Sequence, residues 1–181
     1  MRSAFPERSR RRASSVAELK KDVDGRALLD VNDVVKDALK MVELDLRIQG
    51  VSVTTELREG LPQLLADRGQ LRQVLLNLIM NAIEAMDSVT DHTRLLGITS
   101  DVIRESPGFL LTVEDFGPGI DPKDIERIFE PFYTTKSQGM GMGSSICRSI
   151  VKAHGVRLIA EPGPVARVSL ARLIADRRPS C

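Results

Sequence analysis

A chain of 181 residues with 42% hydrophobic and 28% charged side chains has the make-up of one water-soluble domain, large enough to bury a core and with room for a tail. Its 26 Lys and Arg against 25 Asp and Glu leave a formal net charge of +1, which excludes a global field drawing the chain to nucleic acid or to an anionic membrane. One Tyr, five Phe and no Trp exclude an aromatic platform for single-stranded nucleic acid, and no run reaches the roughly 18 apolar residues of a spanning helix.

Residues 1–25 carry Arg2, Arg8, Arg10, Arg11 and Arg12 among Ser, Ala and Pro, without the apolar run of a secretory signal, and read as a basic tail or a linker remnant. Residues 26–175 form the expected domain and 176–181 a short tail, with the cytoplasm as the expected compartment. Cys147 and Cys181 have no partner spacing for a disulfide framework or zinc and read as plain thiols. Val34, Val35, Leu39, Val42, Leu46 and Ile48 recur at helical spacing, which predicts one helix capped by Asn32 and ended by Gly50. Val51, Val53, Thr55 and Leu57 alternate as in a strand, and Gly60 to Pro62 interrupts it. Asp67 followed by Gln70 resembles a helix cap, and Leu71, Val74, Leu75, Leu78, Ile79, Ala82 and Met86 make a wide apolar stripe on a second helix. A hairpin over 94–103 and 109–113 turns at Ser106-Pro107-Gly108. A short helix near Asp124 to Phe129, a Gly-rich loop, a helix over 143–154 and two last strands over 156–160 and 165–170 complete the pattern. Strands and helices mix without strict alternation, which predicts a two-layer α+β sandwich with one mixed sheet on about three helices.

Asn77 and Asn81 stand four residues apart and project from one face of the second helix. Alone they fit surface polarity or satisfied buried amides; they also fit oxygen ligands for a hard cation such as Mg2+. Asp115-Phe116-Gly117-Pro118-Gly119 ends a strand, and its carboxylate could accept a hydrogen bond from an exocyclic amine such as adenine's, while a simple turn has the same spelling. Gly139-Met140-Gly141-Met142-Gly143 leads directly into a helix, where free backbone N–H groups favour phosphate oxygens.

Asn77-Leu-Ile-Met-Asn81-Ala, Asp115-x-Gly117-x-Gly119, Phe129-Glu130-Pro131-Phe132 and Gly139-x-Gly141-x-Gly143 follow in the order of the N, G1, F and G2 boxes of sensor histidine kinases. Over roughly Leu28 to Leu170 the chain resembles their ATP-binding catalytic domain, a Bergerat-type fold with a flexible lid, and most resembles the oxygen- and nitrogen-sensing kinases. The resemblance implies ATP and Mg2+ as cofactors, with Asn81 on the metal, Asn77 beside the phosphates and Asp115 on the adenine amine. It implies that Gly117 and Gly119 shape the base pocket and that Phe129 to Lys136 with Gly139, Gly141 and Gly143 form the lid, where Lys136 could add positive charge near the phosphates.

In the chaperone, topoisomerase and mismatch-repair relatives of this superfamily, a Glu four residues before the metal-binding Asn is the general base for water. Asn77 holds that position here, and an amide takes no proton in that role, so phosphoryl transfer to another acceptor is expected over hydrolysis. His92 and His154 lie outside any phosphoacceptor context and read as structural. The implied partners are therefore a separate dimerisation and phosphoacceptor domain of the same kinase, of which residues 1–25 could be a remnant, and a response regulator. A homodimer is expected only for the full-length kinase, with no nucleic acid and no membrane in this segment. Two alternatives stand beside this reading: a degenerate nucleotide-binding module without phosphotransfer, and a hydrolytic ATPase.

Thr134, Thr135, Lys136, Ser137 and Gln138 offer little apolar area to bury, so the lid over 132–142 should order only when a bound triphosphate supplies partners for its N–H groups. Hydrogen exchange with and without Mg-ATP measures this. Equal, strong protection of 132–142 in both states would show a rigid loop.

Overall fold

The structure is a computed structural model that describes residues 25–90, 92–103, 108–133 and 143–173. In chain order these form β1 (Ala27–Leu29), α1 (Val31–Met41), α2 (Glu43–Ile48), β2 (Ser52–Leu57), β3 (Leu64–Ala66), α3 (Arg68–Ala85), β4 (Leu95–Val102), β5 (Gly108–Asp115), α4 (Gly143–Ala153), β6 (Arg157–Glu161) and β7 (Ala166–Leu173). Short 3-10 turns cover Met86–Ser88 and Arg127–Phe129.

Two sheets result. A five-stranded sheet runs β2-β4-β5-β7-β6, with β2 parallel to β4 and every other pair antiparallel; β1 and β3 pair antiparallel in a separate ribbon. Along β5 the side chains alternate between faces, so Phe109, Leu111, Val113 and Asp115 point one way and Thr112 and Glu114 the other. The first set is buried and meets the helices. Helix α3 lies between α1 and α4 and touches β5, so its wide stripe of Leu71, Val74, Leu75, Leu78, Ile79, Ala82 and Ile83 is covered on three sides. Burial of a side chain such as Leu75, Ile79 or Phe109 contributes about 1.5–3 kcal/mol, so the seam between α3 and β5 is a substantial part of the core.

The two-layer α+β expectation holds, with two local corrections. The predicted first helix is two, because the chain departs from helical geometry at Val42, whose backbone is at φ −102° and ψ 8°. Its cap is Asp30 and not Asn32: Asp30 Oδ1 accepts from the Asn32 N–H at 2.9 Å. The Asn32 side chain is committed elsewhere. Its Nδ2 donates to the Arg58 carbonyl at 2.8 Å and its Oδ1 accepts from the Ser100 hydroxyl at 2.8 Å, while that hydroxyl accepts from the Arg58 N–H at 3.1 Å. Asn32 and Ser100 are both buried, so this knot joins the start of α1 to the ends of β2 and β4.

Asn32→Ala should therefore cost about 1–3 kcal/mol in urea unfolding, because it removes the partner of the buried Ser100 hydroxyl hydrogen and of the part-buried Arg58 carbonyl. A loss near zero would mean that water reaches the knot.

Candidate functional site

Helices α3 and α4 run antiparallel and are tied at both ends of their contact. At one end the His154 ring, just past α4, accepts the Asp67 N–H on Nε2 at 3.1 Å and donates from Nδ1 to the Ile150 carbonyl at 2.7 Å, which puts the ring hydrogen on Nδ1. Asp67 also caps α3, its Oδ1 accepting from the Gln70 N–H at 2.8 Å as the Asp67 and Gln70 spacing predicts. At the other end Gly143 opens α4 against Asn77; a side chain there would meet the Asn77 carboxamide at 3.9 Å. One turn further on, Cys147 Sγ lies 3.5 Å from Asn77 Nδ2 and 3.9 Å from the Val74 carbonyl. Cys147 is completely buried, and burial pushes its thiol up from the ordinary range, with the Asn77 hydrogen bond opposing.

Beyond Asn77, α3 continues through Asn81 to Ala85, where it meets the loop after β5. Asp115 is buried at the end of that strand and its Oδ1 accepts the Gly117 N–H at 3.0 Å, which fixes the rotation of the carboxylate. A Cβ on Gly117 would fall 2.8 Å from that oxygen and 3.2 Å from the Ala85 carbonyl oxygen. Gly119, at φ +77°, faces the β6–β7 turn, and a Cβ there would sit 2.0 Å from the Gly163 oxygen. Two hydrogen bonds between Ile120 and Gly163, at 3.1 and 3.2 Å, hold this approach. Both glycines thus let the loop lie against the protein's own backbone. His92 Nε2 lies 3.0 Å from the Phe116 carbonyl oxygen on the same loop.

Further along, the Tyr133 hydroxyl donates to Asp124 Oδ1 at 2.5 Å under the Arg127 guanidinium, 4.5 Å from the ring centre. That hydrogen bond, with desolvation, holds the phenol above its ordinary value. Phe132 beside it has φ 67°, rare for a bulky residue, and is 75% exposed.

Of the predicted site residues, the structure brings Asn77 to Gly143, and Asp115 to Gly117 at the end of the helix that carries Asn81. Gly119 packs on the β6–β7 turn. Lys136, Gly139 and Gly141 lie outside the described residues, as does the rest of 134–142. Cys147, read from the sequence as a plain thiol, is a free buried cysteine, and its spacing of four from Gly143 puts it on the same face of α4 beside Asn77. Among the described residues no helix is long and apolar enough to cross a membrane.

The family described as histidine kinase-, DNA gyrase B-, and HSP90-like ATPase matches residues 66–175. The chain belongs to that family. Its similarity is to the sensor kinases: it is 34% identical to the sensor protein TdiS of Thauera aromatica over 71% of this chain, and 35% identical to the sensor histidine kinase TmoS of Ectopseudomonas mendocina over 75%. It spans only 24% of TdiS and 14% of TmoS. The solved catalytic domain of histidine kinase ThkA superposes with a TM-score of 0.69 at 30% identity, covering 82% of this chain and 95% of that one. ThkA in complex with the response regulator protein TrrA gives a TM-score of 0.67 at 26% identity, over 94% of this chain and 49% of that one. The family's ATP-binding catalytic module of histidine kinases is therefore what this fold represents.

Gly119→Ala should cost about 2–5 kcal/mol, from a left-handed backbone plus collision with Gly163. Gly50→Ala, also left-handed at φ +64° but with nothing within 4 Å, should cost only about 1–2 kcal/mol. Urea unfolding compares them, and equal losses would show that the β6–β7 turn yields.

Proposed function

We propose that the chain binds ATP with Mg2+ and hands the γ-phosphoryl group to a His on a dimerisation domain outside residues 26–175, for onward transfer to a response-regulator Asp. The reading draws on the named relatives and on the ThkA complex with a response regulator, and it places the module in the cytoplasm. The observation that carries it is Asn77. The residue one turn before Asn81 is a carboxamide that donates to Cys147 near the start of α4, where a hydrolytic relative needs a base.

The roles follow from chemistry. Asp115, rigidly held by the Gly117 N–H, offers a charged acceptor to an exocyclic adenine amine. The start of α4 at Gly143 offers N–H groups to phosphate oxygens, and Lys136, Gly139 and Gly141 are assigned to the lid by the family's motif order. Asn81 supplies a hard carboxamide oxygen of the kind Mg2+ prefers, so it would hold the ion, which would neutralise phosphate charge. Rate enhancement then rests on in-line positioning and electrostatic help, and the acceptor side must provide its own base.

Titration with trinitrophenyl-ATP, then incubation of labelled ATP with a separately supplied dimerisation domain, tests the reading. Binding with label transfer is expected; binding without transfer would indicate a nucleotide-holding module, and phosphate release alone a hydrolase. Asp115→Asn should cost about 1.5–3 kcal/mol of nucleotide affinity, since a neutral acceptor replaces a charged one. Asn81→Ala should weaken Mg2+-dependent binding and leave adenosine binding nearly intact. Unchanged ATP affinity in both variants would place the site elsewhere.

A further inference from the structure

The Cys147 thiol has one hydrogen and two polar neighbours on α3, the Val74 carbonyl at 3.9 Å and the Asn77 carboxamide at 3.5 Å. In the structure the S–H donates to the Val74 carbonyl and the sulfur accepts from Asn77 Nδ2. In this arrangement the carboxamide turns its NH2 group to the sulfur and its oxygen away from it. Burial keeps the thiol protonated, so the hydrogen on which this logic depends is retained near neutral pH. Each sulfur hydrogen bond is weak, and its consequence is orientation more than stability.

Resting on the nucleotide reading above, we propose that Cys147 is a positioning residue: it sets the rotation of the Asn77 carboxamide so that the site presents Asn77 Oδ1, and not Nδ2, to a metal-bound triphosphate. Orientation matters here because the two ends of the amide have opposite preferences. Nδ2 donates to a bare phosphate oxygen, whereas Oδ1 repels one and suits a phosphate whose charge is met by a cation or its bound water. With the carboxamide lying against Gly143, this choice is made where α4 begins. Cys147 thereby biases the site toward Mg-nucleotide over free nucleotide. A buried thiol acting only as core filler would change affinity for both forms alike.

The test compares wild type with Cys147→Ala, Cys147→Val and Cys147→Ser, each checked for folding by circular dichroism. Trinitrophenyl-ATP is titrated with Mg2+ and with EDTA. The ratio of the dissociation constant in EDTA to that in Mg2+ should fall about threefold to tenfold in the Ala and Val variants, as the freed amide turns Nδ2 to the phosphates, and should return to within about twofold of wild type in the Ser variant, whose hydroxyl repeats the donor and acceptor pattern. Side-chain 15N relaxation of Asn77 gives a readout without nucleotide: its amide should gain mobility in Ala and Val and regain order in Ser. An Asn77 amide as ordered in Cys147→Ala as in wild type, or a ratio that does not move in Ala and Val, overturns the proposal. Failure of wild type to bind trinitrophenyl-ATP overturns the nucleotide reading and the Mg2+ preference built on it, while the relaxation data separately decide whether Cys147 holds the amide.

Discussion

The antiparallel register of α3 and α4 is the constraint on which the site depends. Asp67 and Asn77 on α3 are matched by His154 and Gly143 on the α4 side, and each pair of positions spans about 15 Å of helix axis at the usual rise. The start of α4 is therefore set from its far end: once His154 accepts the Asp67 N–H, Gly143 arrives at Asn77. Between the two ties, Cys147 and Val151 bury against the flank of α3, which forbids sliding by a turn without exposing both. Apolar packing supplies the attraction, and the polar ties choose which packing is adopted.

The same division of labour recurs at other buried positions. Asn32 and Ser100 at the α1 end, and Thr112 with Ser169 at 3.0 Å across β5 and β7, are buried polar pairs that add little net stability. Each would be costly if mispaired. Among the described residues no buried side-chain nitrogen or oxygen lacks a partner, so each pair penalises a strand slip or a helix rotation that would otherwise keep its apolar contacts. On the outer face of the sheet Arg167 reaches Glu114 at 2.9 Å and Glu161 at 3.0 Å, but these charges are exposed and screened, and they act on solubility more than register.

What could be read from sequence was what local periodicity encodes. The stripe of α3, the Asp67 cap, the β4–β5 hairpin and the helix after Gly143 all carry their signal within a few residues and are present as expected. Where several residues could serve the same local role, the decision came from far away in the chain. Asp30 and Asn32 are both good cap residues, and Asn32 is taken by Arg58 and Ser100, which sequence spacing cannot reveal. The break at Val42 was hidden because Val42 and Leu46 both stay buried across it, so the apolar rhythm continues. The β1–β3 ribbon has strands of three residues, too short for a period, and the parallel β2–β4 pair joins segments with α3 between them. At the site, glycine spacing marked the β5 loop, yet the reason for Gly119 lies in the β6–β7 turn more than forty residues on.

Asn77 connects the architecture to the chemistry. A carboxylate at this position would face the buried sulfur of Cys147 and the first residue of α4, and it would also be poised to take a proton from water. A carboxamide donates to that sulfur, which a carboxylate cannot, and lacks the ability to take the proton. Under the proposed function this substitution of group is what keeps a bound triphosphate intact until an acceptor arrives, because positioning and charge neutralisation lower the barrier for any in-line nucleophile but do not generate one. The base and the nucleophile then belong together on the acceptor side. On that reading, docking of the partner would be both the step that completes the site and the step open to regulation.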